Sequence, residues 1–337
     1  MLKVGGAINQ RCATVANETS VSVILPVYNA EAYLRRAVLS VEQQDWAGDL
    51  QIVIVDDCST DGTGVVVAEL AAADPRIVVL SCAENQGPAA ARNLGIDHAT
   101  GDWLAVLDAD DAYAPARLSR LVATAQEEQL DAIADLLVLY DLAADCRAPE
   151  SDQYPASGEV QQLKLEDFLK NDPETGLDLG LLKPVFHRSL EETGLLHYPS
   201  HLRHGEDCAL YIALVQAGKR FGLLREAHYL FSTRIGVVSQ KLSPGSVTDV
   251  DYRSVAAEAD RLRSVLRDRG DLDQNIDALL AARVATALKQ NRRYGWSMLR
   301  RKEWRRLARW FRKNPKNIGT LLSVIGSKAA GHRGLPD

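Results

Sequence analysis

A chain of 337 residues holds more sequence than one small core needs, so one large domain with an appendage is expected. Hydrophobic residues at 46% and charged residues at 25% fit a folded protein, and a net charge of −6 argues against wholesale nucleic-acid binding. The five cysteines lack a C-x-x-C pair, residues 1–20 lack a signal-peptide pattern, and no apolar run approaches ~18 residues, so a cytoplasmic globular enzyme without a zinc site, disulfide framework or membrane span is expected.

The leader through Thr19 is polar and without period, which predicts a loose tail. Val21 to Leu25 is an apolar run ending at Pro26, as a buried strand entering a loop should. From Glu31 to Gln44, Ala32, Leu34, Val38, Leu39 and Val41 mark a helix face. A second strand, Gln51 to Val55, stops at the polar run Asp56 to Thr63, and a helix follows from about Thr63 to Ala73. Ile77 to Leu80 reads as a third strand, and Gly87-Pro88 opens a helix through Ala99 that Gly101 should cap. Trp103 to Leu107 is a fourth strand, and Pro115 stands at the first position of a helix through about Gln129. Strands alternating with helices of ~10–15 residues predict an α/β fold with a mainly parallel sheet flanked by helices. The middle, Leu130 to Gly205, is less regular, with a weak strand at Ala132 to Tyr140 and a short helix near Leu163 to Leu169. Glu206 to Gly218 predicts a further helix, and beyond Asp251 the pattern is helical to about Arg312.

Three polar knots stand where predicted strands end: Pro26 to Asn29, Asp56 to Asp61, and Asp108 to Asp111. In open α/β sheets ligands bind beyond the carboxyl ends of the strands, so the three can converge on one crevice. Singly, each knot is explained equally well as a turn or a helix cap. Asp108-Ala109-Asp110-Asp111 sets three carboxylates within four residues. Such groups raise one another's pKa unless a cation neutralises them, and Mg²⁺ or Mn²⁺ sharing substrate phosphates is the natural cation. The glycine and ligand spacing of an EF-hand, a G-x-G-x-x-G turn and a Walker A loop are all missing.

The ordered blocks Val21 to Asn29, Val55 to Thr63, Asn85 to Asn93, Leu107 to Asp111 and Gly205 to Asp207 resemble family 2 glycosyltransferases of the GT-A fold. The resemblance runs over roughly residues 20 to 240, and is similar in flavour to bacterial succinoglycan-type exopolysaccharide enzymes. It implies a catalytic domain over residues 20–245, and the helical pattern beyond it makes 246–337 a helical extension. It implies that Pro26, Tyr28 and Asn29 lie against the nucleotide base, that Asp57, beside Asp56, accepts a hydrogen bond from uracil, and that Arg92 lies near the nucleotide. It makes Asp108 and Asp110 the D-x-D element, with Asp110 a direct metal ligand, Asp108 near ribose and Asp111 assisting. Asp207, with Glu206 beside it, then supplies the catalytic base, although the two acids read equally as helix caps. Arg234 and Ser239 match a segment touching phosphate, Lys183 reads either as a site residue or as a solvated lysine, and His228 is a further candidate metal ligand. Together these imply inverting transfer of a hexose such as glucose from a UDP-sugar to a glycan or lipid-linked hydroxyl. The alternatives are a catalytically silent glycan-binding or scaffold relative, or a nucleotidyltransferase.

From Arg292 to Lys316 the chain carries eleven Lys or Arg against one acid, Glu303, with Trp296, Leu299, Trp304, Leu307, Trp310 and Phe311 near helical period. This basic amphipathic helix reads as an anchor on an anionic membrane surface. Packing onto the catalytic domain and binding to a partner protein are the other readings.

Overall fold

The computed structural model describes residues 19–142, 145–147, 157–170, 179–202, 204–233 and 252–329. It divides into two compact units, 1–247 and 248–337.

The first unit is built on one mixed sheet. Its strands are β1 (Val21–Val27), β2 (Leu50–Asp56), β3 (Ile77–Ser81), β4 (Trp103–Val106), β5 (Ala112–Tyr113), β6 (Ala132–Asp141), β7 (Cys146–Arg147), β8 (Val160–Leu163), β9 (Val185–His187) and β10 (Phe221–Thr233). The order is β3-β2-β1-β4-β9-β6-β10-β5, with β7 on β6 and β8 on β10. β3, β2, β1 and β4 run parallel. β9 is antiparallel to both β4 and β6, and β6 and β10 are again parallel. Helices α1 (Leu34–Glu42), α2 (Thr63–Ala73), α3 (Pro88–His98) and α4 (Arg117–Glu127) connect these strands, and α3 packs on β1 and β2. α5 (Leu165–Leu169), α6 (Ser189–Glu192) and α7 (Glu206–Gln216) follow.

Strands covered on both faces need apolar residues throughout, which is why Val23, Ile24, Leu25 and Ile52 to Val55 are all fully buried. β1 runs through Pro26 to Val27 rather than ending at Pro26. β4 pairs with β1 only as far as Ile24, so the missing N–H of Pro26 leaves no gap in that ladder. Pro115 is not the first helical residue, because α4 begins at Arg117 after Ala116. Nor does Gly101 cap α3, which ends on extended Ala99. Gly101 instead lies against β1, where a Cβ would come within 2.5 Å of the Ser22 nitrogen and 2.6 Å of the Val21 carbonyl carbon. Its N–H donates to the buried Ser22 Oγ at 2.8 Å, which fixes the entry to β4.

The chain leaves β1 for β2 and β3 on one side, then returns to β4 on the other. That reversal is a topological switch point, the place in an open α/β sheet where ligands bind beyond the carboxyl ends of the strands.

The second unit consists of α8 (Tyr252–Arg269), α9 (Gln274–Arg300), α10 (Trp304–Lys313) and α11 (Lys316–Ala329). Asp273 caps α9 by accepting the Ile276 N–H at 2.8 Å. Met298, Leu307, Trp310 and Leu321 form one core cluster of this unit, and Asn317 ties α11 to α8, α9 and α10 by accepting from Arg253 Nε and Asn291 Nδ2 and donating to the Trp310 carbonyl. No helix among the described residues is long and apolar enough to cross a membrane.

Candidate functional site

The loops after β1 and β2 are stitched together before any ligand is considered. Asn29 adopts φ 50°, its N–H donates to Ser59 Oγ at 3.0 Å, and its Oδ1 accepts the Thr60 N–H at 2.8 Å. Asp56 accepts from the Ser59 N–H and hydroxyl, closing a tight Asx turn. Asp57 is buried, and its two carboxylate oxygens accept the N–H groups of Gln86 and Gly87, each at 2.8 Å. It thereby ties the β2 loop to the start of α3. Tyr28 stays outside this network and is exposed.

Asp108, Asp110 and Asp111 occupy the turn after β4, and the structure separates their surroundings. Asp111 is buried, accepting the Tyr229 hydroxyl and the Ser232 N–H at 2.7 Å each. Burial, followed by the nearby Asp110 and Asp108 carboxylates, pushes its carboxyl well above the usual range. The same Tyr229 hydroxyl accepts the Asp108 N–H at 3.2 Å, so β10 braces the whole turn. Asp110 is half-buried between them, and Arg36 reaches its backbone carbonyl.

Asp108 turns toward two cations. Arg92 Nη2 donates to its Oδ1 at 2.8 Å, and Lys183 Nζ lies 3.3 Å from its Oδ2. Burial opposes ionisation here, yet Lys183 and Arg92 together hold the Asp108 carboxyl well below the ordinary range. The same cations reach α7: Arg92 Nη1 donates to Glu206 Oε1 and Asp207 Oδ1 at 3.0 Å each, and Lys183 Nζ donates to Asp207 Oδ2 at 2.7 Å. Three carboxylates and two cations thus form one cluster joining the β4 turn to the start of α7. Lys183 is buried, and although burial disfavours its charge, Asp108 and Asp207 raise its pKa. The alternative of a solvated lysine is therefore rejected.

Glu206 and Asp207 occupy the first turn of α7, where the helix dipole favours negative charge. Gly205 before them takes φ 78°, a left-handed conformation that disfavours a Cβ. Below the cluster, Tyr211 donates to the Leu182 carbonyl at 2.7 Å, and the buried Arg117 guanidinium donates to the Lys183 carbonyl. Arg117 also bonds Asp135 and lies beneath the rings of Tyr113 and Tyr229. Asn93 exchanges hydrogen bonds with the backbone of Tyr198, and the Tyr198 ring lies against Arg92.

Residues 22–168 match the profile described as glycosyl transferase family 2. The succinoglycan biosynthesis protein ExoU of Rhizobium meliloti is 31% identical over 253 residues, covering 74% of this chain and 70% of that protein. The chain belongs to glycosyl transferase family 2. The succinoglycan biosynthesis protein ExoO of the same organism is 32% identical over 66% of this chain and 63% of ExoO, so the match spans somewhat under two thirds of that relative. The fold is shared with S. aureus TarS 1–349 solved with UDP-GlcNAc, at 23% identity and a TM-score of 0.57, covering 81% of this chain and 72% of that one.

In this family-2 chain, Asp108, Arg92, Glu206 and Asp207 meet directly, whereas Asp56 and Asn29 are engaged in holding loops. Arg234 and Ser239 lie outside the described residues. The His228 ring pairs with Glu226 at 3.0 Å. Sequence patterns do not single out Arg117, Asp135 or Tyr198. An arginine at the start of an amphipathic helix and an aspartate inside an apolar strand are the only signals they leave, and each needs the other to be read.

Proposed function

We propose that this protein is an inverting hexosyltransferase. In this reading it moves a sugar from a UDP-sugar to a hydroxyl of a glycan or lipid-linked glycan during bacterial exopolysaccharide or surface-polysaccharide assembly. The observation that carries it is the single cluster in which Arg92 and Lys183 join Asp108, on the donor side, to Asp207 at the start of α7. The polysaccharide roles of ExoO and ExoU and the UDP-GlcNAc bound by TarS support it.

The residues fit a divalent cation. The turn offers hard oxygen donors, with the half-buried Asp110 and Asp108 two residues apart on it. Among the described residues no group of three or more His, Cys, Asp or Glu side chains forms a ready metal cage. Mg²⁺ and Mn²⁺ need only one or two carboxylates when substrate phosphates complete the shell. Asp110, assisted by Asp108, would hold the ion, which would supply Lewis-acid neutralisation of charge on the departing diphosphate.

The chain's own residues do the rest. Tyr28 offers a ring face to the base, and Asp57 and Asn29 set the loop that receives it. Asp207, held in place by Arg92 and Lys183, takes the acceptor hydroxyl proton while that oxygen bonds to the anomeric carbon. The bond from that carbon to UDP breaks in the same displacement, inverting the centre. One carboxylate suffices for this step, since a two-step route would need a positioned nucleophile.

Purified protein with Mn²⁺ and a panel of UDP-, GDP- and dTDP-sugars is expected to hydrolyse a UDP-hexose slowly without acceptor. Release of no nucleotide from any donor would overturn the reading. Asp110→Ala is expected to weaken UDP binding in Mn²⁺ by more than about tenfold, roughly 1.4 kcal/mol, while metal-free binding stays unchanged. Equal titrations of the two proteins in Mn²⁺ would remove Asp110 from the site.

A further inference from the structure

Unit 248–337 carries a surface that the transfer chemistry does not use. In α10, Leu307 and Trp310 point inward, with Trp310 only 2% exposed. A Cβ on Gly295 would come within 2.4 Å of the Trp310 ring, so this small residue makes room for it. Trp296, Leu299 and Phe311 pack on the same cluster. Apart from Trp304, the aromatic stripe that the sequence offers to a bilayer is therefore occupied by the helical unit's own core.

The opposite face of α10 is cationic. At about 3.6 residues per turn, Arg305 and Arg312 share one stripe, flanked by Arg309, and all three are exposed. Arg301 and Lys302, exposed at the end of α9, precede this face, and Trp304 stands at its edge with 59% of its surface exposed. The one acid of the segment, Glu303, is paired with Arg306 at 2.7 Å.

We propose that this face binds an anionic membrane surface, held by charge with Trp304 as an interfacial contact rather than by insertion of an apolar helix face. A chain of net charge −6 that gathers eleven Lys and Arg against one acid between Arg292 and Lys316 has a sharply one-sided field there. Electrostatic fields fade within about 8 Å at physiological salt. A planar anionic surface meeting this face therefore senses mainly the cations that line it. A tryptophan beside a row of arginines suits the headgroup boundary, where an amphipathic ring is best accommodated.

The test is flotation of the full chain with two vesicle types, pure phosphatidylcholine and phosphatidylcholine mixed with phosphatidylglycerol. The chain is expected to float with the anionic vesicles only and to be released by high salt. Arg305→Gln with Arg312→Gln should lower partitioning about 30-fold, near fivefold per cation, and the corresponding double change to Glu should lower it further. Circular dichroism and UDP-sugar hydrolysis are expected to stay unchanged, because both side chains face outward. Trp304→Ala should weaken binding without removing its salt dependence. Equal flotation with both lipids, wild-type flotation by the double variants, or tighter binding to a short RNA than to anionic vesicles would each overturn the proposal.

Discussion

Asp207→Asn is expected to lower sugar transfer by about 10²–10⁴-fold while UDP continues to bind. The amide keeps the shape of the carboxylate and one acceptor oxygen, but it cannot take a proton at neutral pH. Its surroundings add a second expectation. Asp207 satisfies Arg92 through Oδ1 and Lys183 through Oδ2, so neutralising it leaves two buried cations facing only Asp108 and Glu206. An incoming diphosphate can then supply the missing negative charge. UDP affinity should hold or rise, and UDP should raise the melting temperature of the variant more than that of the wild type. Isothermal titration with UDP and a transfer assay separate the two effects. Transfer retained near the wild-type rate would remove Asp207 as the base, and loss of UDP binding in step with activity would mean that its role is to build the donor site.

Arg117→Met is expected to destabilise the first unit by about 3–5 kcal/mol, the usual cost of removing one partner of a buried ion pair. Arg117 and Asp135 are both fully buried, and their pairing at 2.9 Å has no solvent to replace it. In the variant, Asp135 keeps the His228 N–H at 3.0 Å but no cation. Arg117→Met with Asp135→Leu should recover much of that loss, because an apolar pair needs no counter-charge. Activity should not recover with it. The Lys183 carbonyl would still lack its guanidinium donor, and Tyr229, which braces Asp108 and Asp111, would still lack the cation beneath its ring. Urea unfolding monitored beside transfer kinetics makes the distinction. Recovery of both stability and turnover in the double variant would reduce Arg117 to a purely structural role.

These two positions show how differently the sequence and the fold carry information. Asp207 is legible because it belongs to a short ordered block, Gly205-Glu206-Asp207, at the start of an apolar helix. Arg117 is not, because its partner comes from a different element and nothing local distinguishes it from a surface arginine. Lys183 lies between these cases. In the sequence it is a lone cation in an apolar stretch, with two equal readings. Only the approach of Asp108 and Asp207 decides between them, since a buried ammonium requires carboxylates that distant segments must bring.

The same division holds for the fold. Continuous apolar runs and the loops that end them determine β1 to β4 and the intervening helices, to within a few residues. The three-residue β9 has no period to detect, and it exists because β4 and β6 pair with it from both sides. The long β10 is interrupted by register shifts between Leu224 and Tyr229, which erase the alternation that would mark a strand. In the second unit, the sequence predicts one basic, tryptophan-bearing helix from Arg292 to Lys316, but the chain breaks there into the end of α9, the whole of α10 and the start of α11. Which face is buried is a tertiary decision, taken where Gly295 and Leu321 accept Trp310, and it leaves arginine outward.

The acidic run after β4 follows the same rule. Its residue types and its place after a strand are fixed by sequence, as is its excess of negative charge. What each carboxylate does was decided by what the fold brings to it: two cations to Asp108, and a tyrosine hydroxyl and a backbone N–H to Asp111. Local sequence dictates chemistry that acts within a few residues. Charges and hydrogen bonds in a buried site depend on partners from elsewhere in the chain, and only tertiary structure supplies those.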